Sequence, residues 1–303
     1  MSSPRSRDTA ARTGLGEVAF VGAGPGDAGL LTLRAVDRLA AADVVVTDQP
    51  GREALLSTHC RPDVEVLDAS FGEDGQPMTR VGRAKLVVRA ARSGRRVVRL
   101  MDGDPTTFTG LAEEIAACRK DGVPYEVVPG VPAATAVPAY AGVPLTPAGV
   151  AAFSVVHPHG ARVDWSRYAA KDDTVVVLDG TDDVLAAAGG LLGVGADPQT
   201  PVAVTSSGTT VQQRTLRTTL GELADVLAAA KPPAPLVAVF GEAAGGREVG
   251  SWFENKSLFG WRVLVPRTKE QAGSRVARLA EHGAVADVVP TISVEPPRTP
   301  HQI

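Results

Sequence analysis

The chain has 303 residues, with 31 Lys and Arg against 34 Asp and Glu, and a formal net charge of −3 at pH 7. Because a typical domain has roughly 100–200 residues, this length predicts about two domains. Hydrophobic residues make up 44% and charged residues 21% of the chain, which excludes a disordered chain and a fibre. The charge balance offers no basic excess for nucleic acid or for an anionic membrane surface, so neither is expected as a partner.

The first 14 residues are polar and contain no apolar run, so we expect a disordered leader over residues 1–15 and no signal peptide. The uncharged stretch 127–161 contains six prolines, which exclude a continuous membrane-spanning helix. Cys60 and Cys118 lack the partners of a disulfide framework or a zinc site. His157-Pro158-His159 predicts a turn, since no carboxylate or cysteine is near it in sequence. We therefore expect a cytoplasmic protein without a bound metal.

Strands and helices alternate in the first part of the chain. Short apolar runs predict strands at 17–22, 43–47, 64–67, 96–100 and 125–128, and helical periodicity predicts helices at 30–42, 85–93 and 110–120. Strands separated by helices of this length predict βαβ units and a mainly parallel sheet.

A second α/β series begins with a helix predicted at 133–141, which contains Pro138. Strands are predicted at 153–156, 174–178, 201–205 and 236–239, and helices at 182–193 and 220–230. After a glycine-rich linker at 241–250, one more strand, helix and strand are predicted at 262–265, 270–282 and 285–289.

A glycine-rich loop, Val21-Gly-Ala-Gly-Pro-Gly-Asp27, joins the first strand to the first helix. Glycine permits tight turns, and a helix N-terminus offers N–H groups to an anion. The segment Gly24-Pro-Gly-Asp-Ala-Gly29, with Asp48 about 20 residues further on, also fits the dinucleotide-binding pattern of NAD enzymes. Pro25 removes one N–H group from this loop. On this motif alone, a plain turn, an NAD site and a site for another nucleoside ligand all stay open.

Further motifs follow this loop along the chain. They are residues 42–48 (ADVVVTD), 97–108 (VVRLMDGDPTTF), 126–130 (EVVPG) and 139–146 (AYAGVPLT), and then Gly208-Thr209, Gln213-Arg214 and Pro235. Together they resemble the tetrapyrrole methyltransferases, which are S-adenosylmethionine (SAM) enzymes of corrin and sirohaem synthesis. Within that family they resemble the uroporphyrinogen-III C-methyltransferases, over roughly residues 16–253. The order of these motifs displaces the NAD interpretation.

The resemblance implies the tetrapyrrole methylase fold, with α/β domains at 16–130 and 131–253 and a SAM cleft between them. It implies that Asp48, at the end of the second strand, is the base that accepts a proton from the substrate. From the residues alone, a carboxylate that serves a turn or a helix N-terminus stays the alternative for Asp48. The cofactor contacts that it implies are Gly24, Pro25, Gly103, Asp104, Ala133, Gly208 and Pro235. Because the tetrapyrrole substrate carries several carboxylates, arginines are expected around it, with Arg52, Arg80 and Arg83 as candidates.

The resemblance further implies a reaction and an assembly. The expected reaction converts uroporphyrinogen III to precorrin-2, in sirohaem, cobalamin and haem biosynthesis, and turns SAM into S-adenosylhomocysteine. Methyl transfer from a sulfonium is an in-line displacement, so catalysis is expected to depend mostly on positioning and on charge. Members of this family are usually homodimers, and a homodimer is expected here on that ground.

A second resemblance begins at Ser251-Trp-Phe-Glu-Asn255. Residues 258–272 (LFGWRVLVPRTKEQA) resemble the junction between such a methyltransferase and a fused uroporphyrinogen-III synthase. Only the first strand, helix and strand of a synthase follow. Residues 258–303 are therefore expected to be a truncated start of that domain, with no synthase activity of their own.

Four positions depart from the family's pattern. Asp102 replaces the first glycine of a Gly-Gly-Asp-Pro loop, and Pro132 stands where a hydroxyl-bearing residue is expected. The family's lysine after the third strand, a proposed proton donor, has no counterpart in residues 66–70 (VLDAS). The family's Tyr-Asp-Arg segment reads Thr47-Asp48-Gln49. An alternative function is therefore a catalytically weakened or inactive methylase-like domain that serves as a scaffold for a fused synthase.

Overall fold

The structure is a computed structural model that describes residues 14–49, 51, 53–158, 160, 162–170, 172–246, 251–266 and 269–289. The chain forms two compact units, Met1–Ala136 and Val137–Ile303. The domain boundaries expected from the sequence, after 130 and after 253, stay predictions. Most of the expected leader, Arg52, His159 and the end of the expected synthase segment lie outside the described residues.

The first unit contains a five-stranded sheet in which every pair of neighbouring strands is parallel. The strands are β1 (Glu17–Gly22), β2 (Val44–Thr47), β3 (Glu65–Asp68), β4 (Arg96–Met101) and β5 (Tyr125–Val128), in the order β3-β2-β4-β1-β5. The helices are α1 (Leu33–Ala41), α2 (Glu53–His59), α3 (Arg80–Arg92), α4 (Leu111–Lys120) and α5 (Ala133–Tyr140), the last of which continues into the second unit.

Apolar side chains cover both faces of the inner part of this sheet, which explains why β1 and β2 are nearly continuous hydrophobic runs. On one face, Leu39 of α1 and Leu55 of α2 pack against the sheet. On the other face, Val87 of α3 and Cys118 of α4 do so. The carboxyl ends of all five strands therefore meet at one edge, where the connecting loops carry the predicted site residues.

The strand order excludes the NAD interpretation of the glycine-rich loop. In the dinucleotide-binding fold the first strand lies beside the second, whereas here β1 lies between β4 and β5. The backbone of the loop is also engaged: the Asp27 carboxylate accepts the N–H group of Gly29 at 2.8 Å. At the start of α1, the Thr32 hydroxyl accepts the N–H group of Ala35 at 3.2 Å.

The second unit contains a mixed five-stranded sheet of order β6-β7-β10-β8-β9. Its strands are β6 (Ala152–Val156), β7 (Asp173–Asp179), β8 (Pro201–Ser206), β9 (Arg214–Thr219) and β10 (Leu236–Phe240), and its helices are α6 (Thr181–Gly193) and α7 (Leu223–Ala230). Only β6 and β7 are parallel, and the other neighbours are antiparallel. A separate parallel pair, β11 (Arg262–Val265) and β12 (Val285–Val288), is connected by α8 (Lys269–Glu281).

Three elements differ from the sequence-based expectation. Strand β9 was not predicted, because its residues RTLRTT lack an apolar run; it is an edge strand, and such strands tolerate polar residues on both faces. Helix α2 was not predicted either. Helix α3 begins at Arg80, earlier than expected, because the Thr79 hydroxyl accepts the N–H group of Gly82 and caps the helix there. Among the described residues, no helix is long and apolar enough to cross a membrane.

The end of α7 leads to a prediction about stability. Lys231 caps this helix in the left-handed conformation, with φ 46° and ψ 55°, which strains a residue that carries a Cβ. We expect Lys231→Gly to raise the free energy of unfolding by about 0.5–1 kcal/mol in urea titrations. Lys231→Ala is the matched control, because it removes the side chain and keeps the Cβ. An equal gain in both variants would show that backbone strain is not the cause.

Asp43, just before β2, leads to a prediction about pH. Its carboxylate accepts hydrogen bonds from the backbone and guanidinium of Arg96 and from Arg61, at 2.8–3.1 Å. The Arg96 hydrogen bond lowers the pKa of Asp43 from 3.8 to about 2. A lowered carboxyl pKa contributes stability that is present above the unfolded value of 3.8 and is lost as the pH falls through about 2.

We therefore expect Asp43→Asn to lower the free energy of unfolding by about 1–2 kcal/mol at pH 7, a value that allows for partial solvent screening. The difference from the wild type should shrink as the pH falls below 3.8 and vanish only below pH 2. Chemical denaturation at pH 7, 5 and 3 checks this. Asp63→Asn is the control, because the Asp63 side chain is 76% exposed and its carboxylate lies 3.5 Å from the Arg61 guanidinium, which makes the contact weak. A constant difference at all three pH values would contradict the linkage.

Candidate functional site

Two loops are joined at the carboxyl edge of the first sheet. Gly24, after β1, and Gly103, after β4, form an antiparallel bridge in which each N–H group donates to the other residue's carbonyl at 3.2 Å. Gly103 has φ 56°, a conformation that residues with a Cβ rarely adopt. The loop that contains Pro25 and the loop that contains Asp104 are therefore one connected surface.

A third loop, after β5, meets these two through glycine backbones. A Cβ on Gly130 would lie 2.1 Å from the carbonyl oxygen of Gly103 and 2.8 Å from the Cα of Gly22. A Cβ on Gly22 would lie 2.6 Å from the same carbonyl oxygen. No side chain fits at these distances, so the three strand ends can meet only because residues 22 and 130 are both glycine.

Asp104 ties the second loop to the third. Its side chain is buried, and its Oδ2 accepts the N–H group of Gly130 at 2.9 Å. Its Oδ1 accepts the N–H group of Thr106 at 2.8 Å and also the Thr106 hydroxyl. The structure therefore gives the Asp104 carboxylate a loop-holding role, and its expected contact with the cofactor stays a prediction.

Small residues surround Gly103 on this surface. A Cβ on Gly103 would lie 3.6 Å from the Pro132 Cα and 3.7 Å from the Ala133 nitrogen, at the start of α5. Pro25 and Ala133 are half-buried, whereas Asp102 is exposed. The left-handed position of this loop is Gly103 and not Asp102, so the departure at Asp102 needs no unusual backbone conformation.

Asp48 lies directly after β2 at the same edge. Its Oδ1 accepts a hydrogen bond from Nη1 of Arg99 at 3.0 Å, and its Oδ2 lies 3.6 Å from Nε of Arg83. The Asp48 side chain is about one-fifth exposed, at 21%. Two guanidinium groups thus hold one carboxylate that still reaches solvent.

Behind Asp48 lies a buried ion pair. The Arg99 side chain is 3% exposed and the Glu114 side chain 0%, and Nε of Arg99 lies 3.1 and 3.3 Å from the two carboxylate oxygens of Glu114. Burial raises the pKa of Glu114, and the adjacent Arg99 guanidinium opposes that shift. The pair follows from the topology: Arg99 lies on the central strand β4, on the face that α3 and α4 cover.

The sequence analysis did not single out Arg99 or Glu114. One feature of the sequence could have identified this pair. Arg99 is a charged residue at an inward-facing position of an otherwise apolar run, Arg96-Val-Val-Arg-Leu-Met101. A charge at such a position needs a buried partner. Only the packing of α4 on the sheet identifies that partner.

The substrate arginines expected from the sequence are placed differently. Arg83 binds Asp48 and also donates from Nη1 to the Met78 carbonyl at 2.8 Å, with only 19% of its side chain exposed. Arg80 pairs with Glu113 at 2.9 Å and remains 58% exposed. Arg52 lies outside the described residues. Of the two described arginines, Arg80 is thus the more accessible to a substrate.

In the second unit, two predicted cofactor residues lie at one edge of the sheet. Gly208 follows β8, and Pro235 precedes β10, whose first residue Leu236 lies opposite Ser206 in the ladder. A Cβ on Gly208 would lie 2.4 Å from the Val137 side chain, so glycine is required there by packing. Pro235 is exposed and follows a cis peptide bond.

A polar pair that the sequence analysis did not predict lies at this same edge. His157 Nε2 lies 3.0 Å from the Asp179 carboxylate. Asp179 ends β7 with φ 111°, a backbone conformation that strains a residue with a Cβ. His157 was expected in a turn, and His159 lies outside the described residues. Among the described residues, no cluster of His, Cys, Asp and Glu is placed to hold a metal ion.

Comparisons with known proteins agree with this architecture. Residues 17–224 match the family model of the Tetrapyrrole (Corrin/Porphyrin) Methylases. The siroheme synthase of Tolumonas auensis is 40% identical over 257 residues, which cover 82% of this chain and 54% of that protein. The chain thus spans about half the length of the curated relatives that it matches.

Two solved structures from Thermus thermophilus are similar in fold and sequence. The native uroporphyrin III C-methyl transferase has a TM-score of 0.64 and 33% identity, over 75% of this chain and 98% of that chain. The same kind of enzyme complexed with S-adenyl homocysteine has a TM-score of 0.63 and 34% identity, over 75% and 93%.

The fold class expected from the sequence is confirmed by these matches, and so is SAM as the cofactor of the family. The glycine loops and the acidic residue after β2 lie within the matched residues. The chain belongs to the tetrapyrrole methylase family.

Proposed function

We propose that this chain transfers a methyl group from SAM to a carbon atom of a tetrapyrrole, and that the tetrapyrrole is uroporphyrinogen III. The observation that carries the proposal is the carboxyl edge of the first sheet. There, three glycine-joined loops lie at the same edge as an Asp48 carboxylate held by two arginines. Family membership supplies the reaction class, and the two Thermus thermophilus relatives suggest the substrate.

The residues of the joined loops suit the adenosyl and methionine groups of SAM. Pro25 and Ala133 are small and half-buried, and Gly103 has no side chain. Such a surface offers backbone groups and apolar contact to a ligand. SAM supplies the electrophilic methyl group: as the carbon–carbon bond forms, the carbon–sulfur bond breaks, and its electron pair stays on sulfur.

Asp48 is the proposed acceptor of the proton that the methylated substrate must then lose. Its Oδ1 is oriented by Arg99, and its partial exposure leaves the carboxylate accessible. Arg80 is the described candidate for a substrate carboxylate, because 58% of its side chain is exposed. Phe108, which is 52% exposed with φ 56°, offers an apolar face on the same loop as Asp104.

Calorimetry and a turnover assay test this proposal together. The chain is titrated with SAM and with S-adenosylhomocysteine, and is then incubated with uroporphyrinogen III and SAM under reducing conditions. Saturable binding of both ligands, with a product heavier by added methyl groups, is the expected result. If neither ligand binds at millimolar concentration, the cofactor assignment is wrong.

A second candidate function is a weakened methylase that serves as a scaffold for a fused synthase. The observation in its favour is the end of β3, where the family's lysine has no counterpart. In place of a lysine, Asp68 ends this strand and accepts the N–H group of Ser70 at 2.8 Å. Binding of SAM without turnover of uroporphyrinogen III would favour this function over the first.

The remaining expectations are proposals of the same kind. The parallel strand–helix–strand arrangement of β11, α8 and β12 is compatible with the start of a fused synthase. A homodimer is proposed on the family resemblance, and light scattering of the purified chain measures it. A cytoplasmic location is proposed because Cys60 and Cys118 lack the partners of a disulfide framework.

A further inference from the structure

We propose that the buried Arg99–Glu114 pair is a positioning device that holds the Asp48 carboxylate in the orientation needed for proton transfer. The inference rests on the proposed function, in which Asp48 accepts the proton. Arg99 and Glu114 do not act on the substrate in this proposal, and they work only through Asp48.

The first argument is the continuity of the contacts. Arg99 spans the distance between the two acids: its Nε faces both oxygens of Glu114, and its Nη1 donates to Asp48 Oδ1 at 3.0 Å. Nη1 also donates to the Leu100 carbonyl at 2.8 Å. Contacts with Glu114, Asp48 and the Leu100 carbonyl thus fix the guanidinium plane, so Nη1 donates to Asp48 in one fixed direction.

The second argument is the cost of placing these charges in the interior. Arg99 lies between Val97 and Met101 on the inward face of β4, among apolar side chains of α3 and α4. Removing two charges from water is expensive, and apolar replacements of buried ion pairs are often neutral or stabilising. Stability of the fold therefore does not explain the pair, whereas its contact with Asp48 does.

The third argument is a comparison with a second arginine on the same strand. Arg96 pairs with Asp43 at the amino end of β4, and nearly half of its side chain is exposed. Both arginines bind carboxylates, yet only Arg99 is buried and only Arg99 points to the edge that carries the glycine loops. Arg96 therefore serves as a matched control.

The test compares Arg99→Lys with Arg96→Lys. Lysine keeps the charge but lacks the planar fork that reaches Glu114 and Asp48 at once. We expect Arg99→Lys to lower kcat about 10–100-fold, since a misplaced catalytic group has effects of this size, and to leave KM for SAM and for the tetrapyrrole within about twofold. Glu114→Gln should cause a smaller loss of kcat in the same direction. Arg96→Lys should leave kcat unchanged.

A double-mutant cycle then separates positioning from a general structural effect. If Arg99 acts through Asp48, Arg99→Lys should lower kcat less than about twofold further once Asp48→Asn is present. Melting temperatures in a parallel cycle of Arg99→Lys with Asp48→Ala, which removes the hydrogen-bond acceptor, should also be non-additive by about 2 °C or more, which reports the contact without reference to activity.

Three outcomes would count against the inference. The first is a kcat for Arg99→Lys within twofold of the wild type. The second is that Arg99→Lys lowers kcat by the same factor in the Asp48→Asn background as in the wild type. The third is that the melting-temperature changes of the two substitutions are additive. A wild-type chain that binds no SAM and transfers no methyl group would instead overturn the proposed function, and the role of the pair in catalysis with it.

Discussion

Asp48→Asn is expected to lower kcat for methyl transfer by about 10²–10⁴-fold, the usual contribution of a positioned proton acceptor. Asparagine has the same shape and can still accept the hydrogen bond from Arg99, but its amide does not take up a proton. The affinity for SAM, measured by calorimetry, should stay within about twofold, because the loops that would hold the cofactor are joined through Gly24, Gly103 and Gly130 and do not include Asp48.

The matched control is Asp68→Asn. Asp68 ends the neighbouring strand β3 and pairs with Thr47 in the ladder, so it lies at the same edge. Its carboxylate stabilises a local turn with Ser70, and hydrogen bonds from the side chain and the backbone of Ser70 lower the pKa of Asp68. We expect kcat of this variant within about threefold of the wild type. An Asp48→Asn variant that retains more than a tenth of the wild-type kcat would remove Asp48 from the role of base.

Gly130→Ala is expected to lower the free energy of unfolding by about 3 kcal/mol, at the upper end of the usual cost of overpacking. The added methyl group would lie 2.1 Å from the Gly103 carbonyl oxygen and 2.8 Å from the Gly22 Cα, and both contacts are with backbone. Backbone cannot turn away as a flexible side chain can, so a loop must move. That movement would also disturb the hydrogen bond from the Gly130 N–H group to Asp104.

Urea denaturation with Gly189→Ala as the control checks this prediction. Gly189 is exposed within α6, and a Cβ there would have no neighbour within 4 Å. Because alanine is a better helix former, this control should be stabilised by about 0.5–1 kcal/mol. If a folded Gly130→Ala chain loses less than about 1 kcal/mol, the close approach of the three loops is not as tight as described. Where the variant does fold, its affinity for SAM should fall.

The sequence predicted only those residues of the site whose positions follow from the pattern of neighbouring residues. Gly22, Gly24 and Gly103 stand at ends of apolar runs, and Asp48 follows a strand, so each could be placed at a strand end from periodicity alone. The family resemblance, carried by ordered motifs, then supplied a role for them. Arg83 shows the limit of this reasoning, because a sequence that places it on a helix cannot say whether it faces solvent or Asp48.

The sequence by itself determined most strands and helices of this protein, its α/β class and the identity of its glycine-rich loops. These follow from local periodicity and from the conformational freedom of glycine, which depend on neighbours in sequence. Only the tertiary structure decided the order of the strands, the mutual contact of Gly22, Gly103 and Gly130, and the Glu114–Arg99–Asp48 connection. These contacts join residues far apart in the chain, and they depend on which strands pair and which helix covers which face of the sheet.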